Sequence, residues 1–208
     1  MIILITFTSG CQTAEDKQDD VKTVMIAGRT NTGPIYQIKV PVSWTQIPPT
    51  ASDPLLDTKV PIYSFFFQSG EDAATVTIHN FPSNNIADRI PPMAQVIRWK
   101  EQFKDINETE LSITPQSFGG YAGYRFEGAG STEGGSSSVI AWAMQLPPEH
   151  YHSLNFPLKD SSAEVRNQMK ADYTIKIVGS YKMLMEHKNT IDKAARSFRL
   201  IKEIPKDL

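Results

Sequence analysis

Short runs of alternating apolar and polar residues, interrupted by proline and glycine, constrain the fold of this chain more than any other feature. Residues 35–40 alternate with a period of two and stop at Pro41, the pattern of a half-buried β-strand. Strand-like runs also occupy residues 60–67, 74–81, 111–118, 121–128, 138–146 and 173–179. Gly70-Glu71-Asp72 and Gly119-Gly120 separate neighbouring runs and predict antiparallel hairpins. The Gly- and Ser-rich residues 128–138 are predicted to form a flexible loop.

Helical periodicity appears at two main places in the chain. After Pro91-Pro92, one wide apolar arc is formed by Met93, Val96, Ile97, Trp99 and Phe103. A closing helix is predicted by the stripe Ile191, Ala194, Ala195, Phe198 and Ile201. Ser161-Ser162-Ala163-Glu164 fits a capping box and predicts a short helix through Met169, whereas residues 149–160 show no period and are predicted to form a loop. Because the strands come in blocks, the predicted fold class is α+β, an antiparallel β-sheet covered by helices.

Composition limits the classes of function. The 208 residues are enough for one ordinary globular domain, which we assign to residues 33–208. The chain carries 21 basic and 23 acidic side chains, and its net charge of −2 gives no electrostatic support for nucleic-acid binding. The chain has 1 cysteine, so it has no internal disulfide framework.

The N-terminus suggests a membrane anchor. An apolar run of Ile, Leu and Phe leads into Ser9-Gly10-Cys11, and a polar, acidic stretch follows. This order resembles a bacterial lipoprotein signal, which implies a cleaved signal peptide at residues 1–10, truncated at its start, and a lipidated Cys11. Residues 11–32 are then expected to be the lipidated cysteine and a flexible acidic tether. Gln12 after the cysteine resembles outer-membrane rather than inner-membrane sorting; the alternative is an ordinary N-terminus with an incidental cysteine.

The body of the chain contains several short motifs in a characteristic order. A strand runs into Pro41-Val42-Ser43-Trp44, a helix carries Trp99, and a hairpin contains Gly120-Tyr121-Ala122-Gly123-Tyr124. A last strand and a helix that ends Ala195-Arg196-Ser197-Phe198-Arg199 follow, and the whole series resembles the PsbP-like family. The resemblance implies an α/β/α sandwich and a non-enzymatic binding or assembly role. It carries no binding residue to this sequence.

Few side chains suggest chemistry. The sequence contains no Gly-x-Ser-x-Gly motif and no P-loop. Glu149, His150 and His152 would face a metal ion together on an extended segment, but unrelated surface histidines explain the same spacing, so we predict no metal and no cofactor. Trp44, Trp99 and Trp142 are predicted to be core anchors.

Three consecutive phenylalanines leave two possibilities open. In a strand, Phe65, Phe66 and Phe67 cannot all point to one face. All three are core if both faces of the sheet are covered, but one or two form an apolar patch on a half-open sheet.

The function expected from the sequence is that of a membrane-anchored envelope lipoprotein, a non-catalytic module that binds a protein partner. The alternatives are a periplasmic carrier of a small ligand or metal, and an enzyme whose carboxylates come from distant residues. A carrier or enzyme needs a concave pocket with perturbed titratable groups, whereas an assembly module needs an exposed apolar patch.

Overall fold

Alternation and turn chemistry produce a mostly antiparallel β structure with a few helices. The computed structural model describes residues 20–30, 32–50, 53–158 and 161–204. The strands are β1 (Val21–Ala27), β2 (Pro34–Pro41), β3 (Thr45–Ile47), β4 (Tyr63–Ser69), β5 (Asp72–Phe81), β6 (Asp105–Ile106), β7 (Ser112–Phe118), β8 (Tyr121–Thr132), β9 (Gly135–Gln145), β10 (Asp172–Gly179) and β11 (Arg199–Leu200). The helices are α1 (Pro92–Lys100), α2 (Pro148–Ser153), α3 (Ala163–Met169), α4 (Tyr181–Glu186) and α5 (Lys188–Arg196), with a 3₁₀ turn at Ile86–Asp88.

The strands form a large and a small sheet. Within the described chain, the large sheet has the order β3-β4-β5-β10-β9-β8-β6, and β7 also pairs with β8. The small sheet has the order β1-β2-β11. The α+β class with antiparallel sheets is therefore confirmed. One difference is that a small sheet, and not helices alone, contributes to the layer on one face of the large sheet.

The small sheet exists because β1 is a strand and not part of the tether. We predicted a flexible segment through residue 32, but residues 21–27 pair with β2 over the register Val21↔Pro41 to Ile26↔Tyr36. Val24 and Ile26 are buried, and this burial offsets the conformational entropy that the segment loses when it becomes ordered. A polar tether has no apolar side chains that could do the same. The prediction was wrong here because the acidic residues before Val21 obscured the alternation that follows them. Cys11 and the rest of residues 1–19 lie outside the described residues.

Aromatic side chains fill the core between the two sheets. Phe198 lies between Tyr36 and Tyr173, with ring centroids 5.0 and 4.5 Å away. Helices α4 and α5 close this core with Met183, Leu184, Ile191, Ala194 and Ala195. On the opposite face of the large sheet, Trp99 of α1 packs against Phe126 at 6.2 Å. The predicted burial of Trp44, Trp99 and Trp142 is confirmed.

Two further predictions fail where long-range pairing overrides composition. Residues 128–138, predicted to be a flexible loop, form the ends of β8 and β9 and a turn between them, in a regular ladder that runs to Thr132↔Gly135. The closing helix ends at Arg196 instead of continuing to Ile201. The reason is that the Ser197 hydroxyl accepts the backbone N–H of Lys39 at 2.8 Å, which directs the chain into β11 beside β2.

Helix α5 is fixed to the large sheet by a group of charges centred on the largely buried Arg125 and Glu127. Arg125 donates to Glu127 at 2.6 Å and to Asp192 of α5 at 3.0 Å, and Lys188 reaches Glu127 at 2.9 Å. The guanidinium also lies 5.4 Å from the ring centroid of Trp142. Burial alone would raise the pKa of Glu127, but hydrogen bonds from Lys188 and Arg125 outweigh it and hold the pKa below its ordinary value.

A pH-dependent stability loss should therefore follow from Glu127→Gln. Because the folded pKa of Glu127 is lowered, its contribution is complete above the unfolded pKa of about 4.3 and is lost as pH falls through the folded pKa. We expect the variant to be about 1 kcal/mol less stable than the wild type at pH ~7, and we expect a smaller difference at pH ~3. Urea unfolding at both pH values measures this, with Glu133→Gln on the exposed turn as the control. Equal destabilisation at both pH values would contradict the role of the charges.

Candidate binding surface

Among the described residues, no helix packs over one face of one half of the large sheet. Helix α1 packs through Val96, Trp99 and the following Phe103 on β8 and β9. Paired residues of neighbouring strands point to the same face of a sheet. Ala141 of β9 lies under α1, and the pairs Ala141↔Lys176, Lys176↔Thr77 and Thr77↔Ser64 extend that face across β10, β5 and β4. We call the accessible part of this side the open face. It comprises Thr45, Ile47, Phe66, Thr75, Thr77, His79, Phe81, Lys176 and Val178, whereas Ser64, Asp172 and Thr174 lie on the same side but are buried.

The open face mixes apolar surface with hydroxyl groups. Ile47 is 48% exposed and Val178 is 37% exposed. Phe66 is half-buried, whereas Phe65 and Phe67 are buried on the other side. Phe66 therefore lies on the side that the half-open alternative gave it, although it is half-buried and not fully exposed. Such a surface offers hydrophobic contact and hydrogen-bonding groups together.

Lys176 is the central charge of the open face. Its ammonium donates to the side-chain oxygen of Gln102 at 2.7 Å, and no carboxylate among the described residues forms an ion pair with it. Partial burial lowers the pKa of Lys176, since removal from water penalises the charged form. A half-desolvated ammonium with only an amide partner has capacity to bind an incoming carboxylate or carbonyl oxygen.

A groove runs beside Lys176 along the end of α1. Its volume is about 460 Å³, and its walls include Phe103, Lys104, Glu133 and Val178. At the other end of α1, Ile90 and Pro92 lie next to Phe81 around a pocket of about 20 Å³. That pocket holds little more than one water molecule. Helix α1 thus forms one side wall of the open face.

His79 contributes an aromatic surface and little charge. Its ring stacks on Phe81 with centroids 6.4 Å apart and an interplanar angle of 10°. Nδ1 lies 3.2 Å from the carbonyl oxygen of Thr58. Burial, and to a smaller extent the charges of Arg29 and Lys176, lower the pKa of His79 below 6.5, so the ring is neutral at pH ~7.

The residues predicted as weak metal candidates do not converge. Residues 148–153 form helix α2 and not the extended segment on which Glu149, His150 and His152 would share a side. Positions two apart on a helix point about 200° apart, so the two imidazoles diverge. His150 directs Nδ1 to the carbonyl oxygen of Gly120 at 3.0 Å, and His152 is exposed beside the Tyr151 ring. Among the described residues, no three His, Cys, Asp or Glu side chains are placed to hold a metal ion.

Helix α2 was not predicted from the sequence because it begins directly after Pro147 and is shorter than two turns. Pro147 and Pro148 suit a helix start, but six residues are too few to display a period. Helix α3 was found, although its cap is Ser162, which accepts the Val165 N–H at 3.2 Å, and not Ser161. None of the helices in the described ranges is both long and apolar enough to cross a bilayer.

The open face was also missed as a site, although a signal for it exists. Strand β5 alternates buried Ala74, Val76 and Ile78 with Thr75 and Thr77. The polar series predicts a face without a covering layer. Without knowing which strands α1 covers, that series could not be joined to Lys176.

Comparison with known proteins identifies the fold. Neither the family models nor the curated proteins match this sequence. Among solved structures, cyanobacterial PsbP (CyanoP) from Synechocystis sp. PCC 6803 is 13% identical with a TM-score of 0.51, over 94% of this chain and 98% of that one. LpqN of Mycobacterium tuberculosis, described as involved in cell envelope biogenesis, is 12% identical with a TM-score of 0.50, over 88% of this chain and 92% of that one. These likenesses confirm the expected PsbP-like fold.

Proposed function

We propose that this protein is a non-catalytic module of the bacterial cell envelope, anchored by lipid on Cys11, that binds a protein partner through the open face. The single observation that carries the binding role is the uncovered half of the large sheet, with Lys176 at its centre and without a carboxylate partner among the described residues. LpqN, which has the same fold and is described as involved in cell envelope biogenesis, supports a role in the envelope.

The chemistry of the open face indicates what the partner presents. Phe66, Phe81 and Val178 offer apolar contact, and the threonines offer hydroxyl donors and acceptors. Lys176 favours a carboxylate or a carbonyl oxygen, because such a group would replace water lost from the ammonium. The partner is therefore a protein surface or segment with apolar side chains around an acidic group.

Photo-crosslinking in intact cells tests the binding role. A crosslinking side chain at Thr75 or Thr77, both on the open face, should capture a discrete partner. Thr114, exposed on β7 and outside the open face, is the matched control position. Capture from Thr114 with the same yield would contradict the proposal.

Charge reversal makes the test specific. Lys176→Glu should lower the crosslink yield from Thr75 at least about tenfold, since it places like charges together. Lys176→Met keeps most of the apolar stem and removes only the charge, so it should give an intermediate yield. An undiminished yield in both variants would show that the open face does not bind an acidic group.

A small-ligand carrier is the second candidate, and the groove of about 460 Å³ favours it. Lys104 and Lys176 line that groove together with Glu101 and Glu133, so it offers both signs of charge to a polar ligand. Native mass spectrometry of the purified protein would detect such a ligand. A bound ligand that is lost in Lys176→Met, together with no crosslinked partner, would favour the carrier.

Lipid attachment gives a separate prediction. Labelled fatty acid should enter the wild type and be absent from Cys11→Ala, because Cys11 is the 1 cysteine of the chain. Fractionation should then find the wild type with membranes and Cys11→Ala without them. An unlabelled wild type, expressed from its true start codon, would refute the anchor and leave the binding role to the crosslinking test.

A further inference from the structure

Strand β1 has an edge whose backbone groups are free to pair. Asp20 accepts the N–H of Val42 at 2.8 Å, so this pair is hydrogen-bonded in the β1–β2 ladder. Bonded and non-bonded pairs alternate in an antiparallel ladder, so Lys22, Val24 and Ile26 bond to β2. Thr23 and Met25 therefore direct their N–H and C=O groups away from β2. Outside the β1–β2 ladder, no described residue hydrogen-bonds to those groups.

The same strand is apolar on both faces. Val24 and Ile26 are buried in the core, while Val21 is 60% exposed and Met25 is 49% exposed on the outer face. Lys22 is the one charged residue within Val21–Ala27, and its ammonium is held by the carbonyl oxygens of Val42 and Trp44 at 3.1 and 2.8 Å. Since these bonds hold the charge of Lys22, it does not prevent another strand from pairing with this edge.

The other strand edges in the described chain are protected. β7 carries Pro115 in its middle, which removes an N–H from the edge. β3 has 3 residues and is followed by Pro48-Pro49, and β6 and β11 have 2 residues each. β1 has 7 residues and no proline. Natural proteins shield long edges of this kind unless the edge has a partner.

We propose that the β1 edge pairs with β1 of a second copy of this chain, antiparallel about a twofold axis at Val24. In that register Thr23 lies opposite Met25 of the partner subunit and Val21 lies opposite Ala27 of the partner subunit. Every outward N–H and C=O of Thr23 and Met25 then gains a bond, because these become hydrogen-bonded pairs. The two small sheets form one continuous sheet across the dimer.

The strand is self-complementary in charge and shape at this register. Lys22 lies opposite Ile26 of the partner subunit, so the two lysines are not opposed. On the outer face, the exposed Met25 lies next to Thr23 of the partner subunit, and these two side chains can form a cross-strand pair without a steric or charge conflict. An acidic or basic foreign strand would gain no ionic contact there, which favours a second copy as the occupant.

The association should be concentration-dependent. One strand pair buries less than the about 1,200 Å² typical of a stable interface. Chains attached to one membrane surface would meet at a raised effective concentration, so the dimer would form there first. The dimer itself depends only on the β1 edge and not on the proposed anchor or partner.

Hydrogen exchange of the wild-type chain tests the pairing without any substitution. The amides of Thr23 and Met25 should exchange at least about tenfold more slowly at high than at low protein concentration. The amides of Val24 and Ile26, which already bond to β2, are the internal control and should not change. Exchange at Thr23 and Met25 that is fast at every concentration would overturn the proposal.

A proline substitution separates edge pairing from folding. Thr23→Pro removes an outward N–H but no bond to β2, so the monomer should keep its melting temperature. It should weaken dimerisation at least about tenfold in sedimentation velocity, whereas Thr23→Val keeps the N–H and should dimerise like the wild type. Equal dimerisation of all three proteins, or a wild type monomeric near 1 mM, would overturn the proposal.

A cysteine pair checks the register. In a Cys11→Ser background, Thr23→Cys with Met25→Cys should crosslink two chains, since directly opposed residues have Cβ atoms about 5 Å apart. Thr114→Cys, also on an edge strand, is the control and should not crosslink. If a chain lacking residues 1–19 dimerises and the full chain does not, the N-terminal segment is the occupant and the proposal fails.

Discussion

Asp172→Ala should cost about 3 to 5 kcal/mol of the free energy of unfolding, the largest loss we expect from a single charge. Asp172 opens β10 and receives Arg89 through both oxygens, with Nε donating to Oδ2 at 3.0 Å. The backbone N–H of Leu146 donates to Oδ1 at 3.0 Å. The two side chains are only 10% and 3% exposed, so the variant leaves the guanidinium buried without its counter-charge.

Urea unfolding of three variants separates the reasons for this loss. Asp172→Asn keeps the shape and removes the charge, so it should recover part of the stability. Arg89→Ala with Asp172→Ala should cost less than the sum of the two single changes, because neither partner is then left alone. Glu108→Ala breaks the exposed pair with Lys100 and should cost under about 1 kcal/mol. A loss in Asp172→Ala no larger than in Glu108→Ala would contradict the role of the buried pair.

Gly123→Ala should be the second severe change, with a loss of at least about 3 kcal/mol or failure to fold. A Cβ at Gly123 would overlap the carbonyl oxygen of Ala143 on the paired strand. Backbone atoms cannot move aside like the end of a flexible side chain, so β8 and β9 would have to separate locally. Since α1 packs on these two strands, the wall of the open face would move with them.

Gly134→Ala is the matched control for this glycine. It lies in the turn between β8 and β9, where the nearest atom to a Cβ is Thr132 Oγ1 at 3.9 Å, an ordinary contact. We expect its stability to change by less than about 0.5 kcal/mol. Thermal unfolding and circular dichroism compare the two variants. Similar melting temperatures for both would show that the strands accommodate a methyl group at Gly123.

The sequence alone places Gly123 in a recognisable motif but does not show why a glycine is required there. Gly123 belongs to the hairpin motif on which the PsbP-like resemblance rested, and the likeness to CyanoP supports a PsbP-like fold of antiparallel sheets with a few helices. The reason for the glycine, the close approach of Ala143, requires the register of β8 against β9. The prediction of a flexible loop at residues 128–138 was wrong for a related reason. A Gly- and Ser-rich strand is stabilised by its hydrogen bonds to the neighbouring strand, and its sequence shows no apolar alternation.

Part of the candidate site could be predicted and part could not. The consecutive phenylalanines left open whether Phe66 faced the core or an uncovered side, and α1 settled that by packing on β8 and β9 only. Lys176 stood in a run of alternating residues with no local sign of importance. Its position between Thr77 and Ala141 depends on pairing with strands about 100 and 35 residues away in the chain.

Local periodicity in the sequence was sufficient to determine the strands β2, β4, β5, β7 and β10, helix α1, and the burial of the three tryptophans. Alternation defines two faces for each strand, because successive side chains point to opposite sides. It does not state which layer covers each face. Only the tertiary structure placed β1 at an edge, ended α5 at Arg196 and left the face around Lys176 without a described helix over it. Each of these outcomes depends on contacts between segments far apart in the chain.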